Sequence, residues 1–166
     1  MYYDYCDTPI GPLLLVADAG GLTQVDLPHA RHPTAPAADW VRDARRMAGV
    51  RRQFDAYFAG ELTAFELPLH PHGTPFQQAV WRGLMTIPYA TTASYGELAR
   101  RIRRPRAVRA VGAANGANPL AIIVPCHRVI GSNGTLTGYG GGLPAKQWLL
   151  DHERRHAPAA ALVLEA

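Results

Sequence analysis

The residues best suited to chemistry lie in one short segment, Pro125-Cys126-His127-Arg128. A cysteine acts as a nucleophile only as its thiolate, and its neighbours set the thiolate fraction. We expect the adjacent histidine and arginine to lower the pKa of the Cys126 thiol. Glu153, on a predicted helix close by, is the best-placed acid to orient the histidine in a nucleophile–base–orienter triad. A cysteine–histidine pair is also compatible with a purely structural role.

Other chemistries have less support in the sequence. Neither serine lies in the G-x-S-x-G pattern of an esterase nucleophile, and the chain has neither a C-x-x-C pair nor a G-x-x-x-x-G-K-[ST] phosphate loop. The pairs His29/His32 and His70/His72 have metal-binding spacing, but they lie in proline-rich loops without a cysteine, which favours solvated side chains. We therefore expect no metal and no cofactor. Cys6, at the end of a predicted strand, is expected to be a buried apolar residue.

The elements that position the Cys126 segment are predicted to be mainly helical. Thr74 is a suitable N-cap with Pro75 at the first helical position. A second helix begins at the capping box of residues 94–97, and a third is predicted over residues 105–117. The last two helices, joined by a tight turn, indicate a helix-turn-helix motif.

The third of these helices is expected to carry unusual residues on its outward face. Val108 and Val111 are predicted to point inward, whereas Gly112, a poor helix former, is better explained by close approach of another molecule. Six arginines without an intervening acid surround the turn: Arg100, Arg101, Arg103, Arg104, Arg106 and Arg109. The cluster favours a polyanionic partner, and an ordinary helical hairpin in a basic domain is the alternative.

The Cys126 segment is expected at the exit of a short buried strand over residues 120–124, which Pro125 ends. The glycine-rich stretch at 138–142 predicts a loop in which the backbone comes close to another group. A final helix is predicted from Pro144, with Trp148 and Leu149 facing inward.

Residues 1–73 are predicted to form a separate, small α/β domain. Strands over 13–17 and 22–27 with a glycine turn at 20–21 indicate an antiparallel hairpin. A helix is expected from an N-cap at Asp39 to Gly60, and residues 65–69 are a possible last strand before a linker at 70–74. Residues 74–166 are predicted to form a mainly α domain with a winged-helix-like helix-turn-helix.

Charge differs between these two parts of the chain. Residues 1–73 carry six arginines against nine acids, and residues 74–166 carry eleven basic residues against four acids. A basic half beside an acidic half favours contact with a polyanion, although a solvated surface is the alternative. The sequence has no apolar run long enough for a membrane helix, no secretory signal is expected, and two cysteines favour a reducing cytoplasm.

The segment IVPCHRVIG at 123–131 resembles the active site of the O6-alkylguanine-DNA alkyltransferases, also called methylated-DNA–protein-cysteine methyltransferases. Four further motifs resemble that family at the same spacing: SYGELA at 94–99, RAVGAANGANP at 109–119, GYGGG at 138–142 and KQWLLDHE at 146–153. The resemblance is dense over residues 74–154 and looser before them. It implies a monomer that moves an alkyl group from O6-alkylguanine in double-stranded DNA, after base flipping, onto its own cysteine in a single turnover.

The resemblance also implies a role for each reacting residue. Cys126 is expected to be the alkyl acceptor, His127 its base through a bridging water, and Glu153 the residue that orients the histidine. Asn118 is implied as a hinge that ties the recognition helix to the active-site segment. Tyr95 is implied to crowd the phosphate of the target nucleotide and to donate a hydrogen bond to the base.

Further residues are implied to contact the DNA or the flipped guanine. Arg109 is expected to fill the gap in the base stack, and Tyr139 with the backbone at Gly140 to line the pocket. The carbonyls of Cys126 and Val129 are implied to bind the exocyclic amine. The remaining expected DNA contacts are Ala110, Gly112 and Arg128. Small residues suit a helix that approaches a minor groove, where recognition is degenerate in sequence.

Departures from the family narrow the expectation. Relatives with a structural zinc use cysteines and histidines in the first part, whereas residues 13–27 contain no cysteine, so no zinc is expected. Cys126 is present, unlike in the alkyltransferase-like sensors, which replace it. Two rival functions are a regulator that uses only the helix-turn-helix and a multiple-turnover cysteine hydrolase. The sequence leaves open the range of alkyl groups, repair of O4-alkylthymine and clustering of molecules on DNA.

Overall fold

The computed structural model describes residues 1–30 and 34–158. The N-terminal part contains a four-stranded sheet in the order β3-β2-β1-β4. Its strands are β1 (Tyr2–Cys6), β2 (Leu13–Asp18), β3 (Gly21–Asp26) and the short β4 (Val41–Arg42). Strands β1, β2 and β3 are antiparallel as predicted, whereas β4 pairs with β1 in parallel, so the sheet is mixed.

One helix, α1 (Ala48–Phe58), packs its apolar side into the core with this sheet. Val50, Phe54 and Tyr57 recur at helical spacing and are buried. The β2–β3 turn depends on Gly21, whose φ of 143° lies in the region that favours glycine. The carboxylate of Asp18 accepts the backbone N–H groups of Gly20 and Gly21 and so closes the turn.

Two predictions for the N-terminal part were wrong. Asp39 does not cap α1, because the chain first pairs β4 with β1 and the helix begins only after Met47. Residues 65–69 form no strand, and only Leu69 makes an isolated bridge, to Leu22. Part of the predicted loop after Pro28, including His32, lies outside the described residues.

The C-terminal part has four helices among the described residues: α2 (Pro75–Leu84), α3 (Tyr95–Arg101), α4 (Val108–Gly116) and α5 (Leu143–Arg155). Two short strands, β5 (Ala93–Ser94) and β6 (Val129–Ile130), pair in parallel beside them. Helices α3 and α4 form the predicted helix-turn-helix. The observed arrangement is therefore the expected one, a small α/β part followed by a mainly helical part.

Local interactions fix the position of the helix-turn-helix. Thr74 and Gln77 complete a reciprocal capping box at the start of α2. The Trp81 indole of α2 donates to the carbonyl oxygen of Ala114 in α4 at 2.9 Å. A Cβ at Gly83 would lie 2.6 Å from a methyl carbon of Ile102, so glycine lets α3 approach α2.

Two further predictions needed correction in this part. Val111 is buried as expected, but Val108 is 40% exposed because α4 begins there and its first turn faces solvent. Residues 120–124 form a turn, with only an isolated bridge between Val25 and Leu120. Ile122 has a φ of 73°, which no extended strand allows.

Helix α5 begins as predicted, with a proline in its first turn, and buries Leu149. Trp148 is only partly buried and packs against the core from its edge. Among the helices of the described ranges, none has both the length and the apolar character needed to cross a membrane.

Candidate active site

Cys126 lies at the bottom of a cavity of about 70 Å³. It occupies the first position of a 3₁₀ turn, Cys126–Arg128, and is 7% exposed. The cavity wall combines the end of α4, the glycine-rich loop before α5 and the N-terminal sheet edge around Leu27. The thiol is thus nearly buried in a small cavity between three elements.

A larger cleft of about 460 Å³ adjoins this cavity. Tyr95 and Gly112 line its outer part, and Tyr139 and Gly140 line both the cleft and the cavity. The two spaces share five lining residues, so the cavity of Cys126 adjoins a cleft on the helix-turn-helix. A Cβ at Gly112 would meet the Tyr95 ring at an ordinary 3.8 Å, so packing within the chain does not require this glycine.

The structure contradicts the expected lowering of the Cys126 pKa. Burial raises the pKa of the thiol and outweighs the lowering effects of Asn118 and of the Lys146 charge. Neither His127 nor Arg128 lowers it, because both interact with Glu153 instead. The resting residue is therefore a thiol at neutral pH, and it needs a base when it reacts.

The adjacent imidazole is arranged to be that base. His127 is fully buried, and burial lowers the pKa of its ring despite the opposing effect of the Glu153 charge. The lowered pKa keeps the ring neutral. Its Nε2 lies 2.6 Å from Oε2 of Glu153, and a neutral ring must donate its proton there. Nδ1 is then unprotonated, and it has no hydrogen-bond partner in the described part of the chain.

Glu153 is the charged centre of the site. Its side chain is fully buried, and burial would raise its pKa, but interactions with His127 and Arg128 hold the pKa well below the usual range. Because the imidazole is neutral, the permanent charge of the guanidinium is the main compensation. Oε1 also accepts the backbone N–H of Ala90, and Oε2 accepts the Tyr57 hydroxyl at 2.7 Å.

Arg128 does not face DNA, which corrects its expected role. Its side chain is buried, with Nε 2.7 Å from Oε1 of Glu153 and Nη2 3.1 Å from Oε2. Nη1 donates to the carbonyl oxygen of Ile87. The paired donors fit a carboxylate, so the arginine holds Glu153 in place from inside the protein.

Sequence reasoning missed Lys146. Its side chain is fully buried, and its ammonium donates to the carbonyl oxygens of Val129 at 2.6 Å and Thr137 at 2.9 Å. This charge ties β6 to the loop before α5 and lowers the pKa of Cys126. One signal could have found it: this residue is the only lysine in a chain with 16 arginines.

The N-terminal part also contributes a wall that sequence reasoning missed. Val25, Asp26 and Leu27 line the cavity that holds Cys126. A Cβ at Gly141 would lie 2.2 Å from a methyl carbon of Leu27, so this glycine allows the loop to close against the sheet. The close approach expected for the glycine-rich loop is therefore partly an approach to the protein itself.

Asn118 makes the tie expected of it. Its Nδ2 donates to the carbonyl oxygen of Val124 at 2.8 Å, and its Oδ1 accepts the backbone N–H of Leu120 at 3.0 Å. These bonds join the end of α4 to the turn before Cys126. They hold a backbone that includes the left-handed Ile122.

The residues expected to meet DNA lie on the outer side of α4. Arg109 and Ala110 are exposed near its beginning, and Tyr95 lies opposite them at the start of α3. The Tyr95 hydroxyl accepts a long hydrogen bond of 3.4 Å from Thr137. Val129 is buried, with its carbonyl already bound by Lys146.

A second group of polar side chains lies far from this site. His70 and His72, expected to be solvated, both bond to the carboxylate of Asp18, and the three offer nitrogen and oxygen atoms within 4.8 Å of one another. The hydrogen bond from His70 lowers the pKa of Asp18 to about 2. The Asp18 carboxylate already binds the two histidines and the backbone N–H groups of Gly20 and Gly21, so we assign no metal to this group.

A helix-turn-helix beside a buried cysteine, histidine and glutamate is typical of a protein that binds DNA and reacts through a thiol. Family models agree with that class. The model described as the 6-O-methylguanine DNA methyltransferase DNA binding domain matches residues 75–155, and that of the ribonuclease-like domain of the same proteins matches residues 1–71.

Individual relatives cover almost the whole chain. The methylated-DNA–protein-cysteine methyltransferase of Methanosarcina barkeri is 48% identical over 94% of this chain and 99% of its own length. That of Mycolicibacterium paratuberculosis is 50% identical over 98% of both chains. The crystal structure of Mycobacterium tuberculosis OGT in complex with DNA aligns with a TM-score of 0.87 at 50% identity, covering 97% of this chain and 98% of that one. The chain belongs to the 6-O-methylguanine DNA methyltransferase family.

Proposed function

We propose that this protein repairs double-stranded DNA by transferring the alkyl group of O6-alkylguanine to Cys126 in a single turnover. The observation that carries the proposal is a cleft on the helix-turn-helix that adjoins the cavity of a buried thiol beside a His127–Glu153 pair. The relative that was solved in complex with DNA supports DNA as the partner. We propose the cytoplasm as its compartment, since two free cysteines suit a reducing environment.

The buried position of the thiol requires the target base to leave the duplex. An alkyl group on O6 points toward the partner base, so the nucleotide must rotate out, at a cost of a few kcal/mol. Arg109, exposed on α4, fills the vacated place in the stack, and Tyr95 crowds the phosphate. The small residues Ala110 and Gly112 let the helix backbone approach the minor groove.

Once flipped, the guanine occupies the cavity above Cys126. Tyr139 and the backbone at Gly140 line that space and hold the base. The Cys126 carbonyl accepts the exocyclic amine. The Val129 carbonyl, which also accepts a hydrogen bond from Lys146, is the second acceptor for the amine, since a carbonyl oxygen has two lone pairs.

The transfer itself is a displacement at the alkyl carbon. The thiol proton passes to Nδ1 of His127, through a bridging water, while Glu153 stabilises the imidazolium that forms. The sulfur forms a bond to the carbon as the carbon–O6 bond breaks. The electron pair of the broken bond stays with the guanine, which takes up a proton. A thioether offers water no leaving group, so the protein is consumed.

Peptide mapping by mass spectrometry tests this function. After mixing with a duplex containing O6-methylguanine, one added methyl group is expected on Cys126 and none on Cys6. An unmodified duplex should leave both unchanged. Cys126→Ala should bind DNA without acquiring a methyl group. Tight binding with no methylation of wild-type protein would favour a regulator, and repeated hydrolysis of small amides would favour a cysteine hydrolase.

A further inference from the structure

The carboxylate of Glu153 has one hydrogen-bond donor from the N-terminal part among the described residues. That donor is the hydroxyl of Tyr57, which lies 2.7 Å from Oε2. Tyr57 belongs to α1, 96 residues before Glu153, and its side chain is buried. Tyr57 lines neither the cavity nor the cleft, so it does not contact the groups that react.

The same oxygen lies within hydrogen-bond distance of two other groups. Nε2 of His127 lies 2.6 Å from Oε2, and Nη2 of Arg128 lies 3.1 Å from it. Arg128 also binds Oε1 and therefore draws the whole carboxylate toward its planar fork. The Tyr57 hydroxyl is a third donor to Oε2, and its hydrogen bond opposes rotation of the carboxylate toward the arginine.

We infer that Tyr57 is a positioning residue for alkyl transfer: its hydroxyl holds Oε2 of Glu153 where that atom orients His127. The inference rests on the proposed function, since it concerns the same reaction. It assigns the N-terminal part a direct effect on reactivity, beyond forming a wall of the cavity.

The packing around the phenol makes this effect specific. The centroid of the Tyr57 ring lies 5.5 Å from that of Phe65, 5.3 Å from that of His152 and 5.1 Å from that of Phe58. This packing restricts movement of the ring and therefore of its hydroxyl. Burial and the Glu153 charge raise the pKa of Tyr57 well above its usual value, so the hydroxyl stays protonated and remains a donor. A neutral donor fixes the carboxylate without cancelling the charge that His127 requires.

A neighbouring tyrosine offers a matched control. The Tyr89 hydroxyl is also buried but has no hydrogen-bond partner in the described ranges, and the two rings lie 6.3 Å apart. Tyr57→Phe and Tyr89→Phe each remove one buried hydroxyl. Only the first removes a bond to Glu153.

The test is a double-mutant cycle on the rate of alkyl transfer from free O6-benzylguanine, below the melting temperature of every variant. Tyr57→Phe should slow transfer about fivefold, the effect of one lost hydrogen bond. In a Glu153→Gln background the same substitution should cause no further loss, because linked residues act as one unit. Tyr89→Phe should leave the rate unchanged in both backgrounds.

Each outcome decides one question. An equal loss from Tyr57→Phe in both backgrounds, or no loss in either, overturns the inference and leaves Tyr57 a packing residue. Failure of the wild-type protein to accept any alkyl group refutes the proposed function instead. If Tyr57→Phe does not fold, 3-fluorotyrosine at position 57 keeps the ring and the hydroxyl and makes the hydroxyl a stronger donor. Its effect on the rate must then disappear with Glu153→Gln, and persistence of the effect contradicts the inference.

Discussion

The two cysteines of this chain lie in regions that treat the same side chain differently. Cys6 in the sheet and Cys126 before α5 are both buried, and burial raises the pKa of each thiol. Around Cys6 the acids Asp55, Asp7 and Asp4 raise the pKa further, to about 11, and only Arg51 opposes them. Around Cys126, Asn118 and Lys146 both oppose the effect of burial.

The difference extends to the buried polar side chains of each region. The N-terminal part buries Asp4 as its single charged residue among those described, whereas the C-terminal part buries three, Arg128, Lys146 and Glu153, together with the neutral His127. Buried charges cost stability unless they are paired. We therefore expect reactivity to follow from the buried, hydrogen-bonded polar groups beside the thiol and not from exposure of the thiol.

The largest expected effect comes from removing the base or its orienting acid. His127→Ala and Glu153→Gln should each slow transfer to Cys126 by about 100-fold, the usual contribution of general base catalysis. The pH of half-maximal rate should move upward, because a thiol with a raised pKa then loses its proton only to solvent. Rate against pH, measured with free O6-benzylguanine, checks this.

The double variant separates catalysis from structure. It should lose little more than the worse single variant, since the two residues act as one unit. A lower melting temperature for Glu153→Gln with an unchanged pH profile would instead mean that the glutamate only supports the fold.

The next effect concerns the buried cation. Lys146→Met should slow transfer about tenfold near neutral pH and shift the profile upward, because the pKa of Cys126 loses a lowering influence. Gln147→Met, on the exposed side of the same helix, is the matched control and should have no effect. Equal rates for wild type and Lys146→Met would show that the Lys146 ammonium does not affect alkyl transfer.

A smaller and substrate-dependent effect is expected at the DNA surface. Arg109→Ala should slow repair in duplex DNA about tenfold but change transfer from the free base by less than about twofold, because only the duplex requires flipping. Arg155→Ala, exposed on α5, is the control for lost surface charge. Parallel losses on both substrates would show that Arg109 does not fill the stack.

The smallest effect is expected at the other cysteine. Cys6→Ala should leave transfer rates within about twofold while lowering the free energy of unfolding by about 1 kcal/mol, because it removes a buried sulfur from the core. Thermal unfolding and the free-base assay measure the two effects. A large loss of transfer in Cys6→Ala would show that Cys6 also contributes to the reaction.

Local signals predicted much of this molecule. Thr74 and Pro75 marked the start of α2, since capping and proline geometry depend on neighbouring residues alone. The order of elements and the helix-turn-helix followed from similar signals. By contrast, the apolar run 120–124 indicated a strand, but its backbone is bent into a turn by contacts from Asn118 and Val25.

Long-range pairing explains the remaining differences. The start of α1 is delayed because Val41 pairs with β1, and nothing near Asp39 in sequence indicates that partner. The resemblance implied a DNA contact for Arg128, yet Glu153 and the Ile87 carbonyl hold its side chain inside the protein, and neither partner is adjacent to it in sequence. The raised pKa of Cys126 likewise depends on burial, which adjacent residues do not reveal.

The stoichiometry of transfer tests the central claim most directly. Wild-type protein is mixed with a twofold and a tenfold molar excess of duplex containing O6-methylguanine, and repaired guanine is counted over time. The account predicts a burst of one repaired base per chain at both ratios, followed by a flat line, because the Cys126 thioether is permanent. Continued repair beyond one equivalent, or a burst that persists in Cys126→Ala, would contradict it.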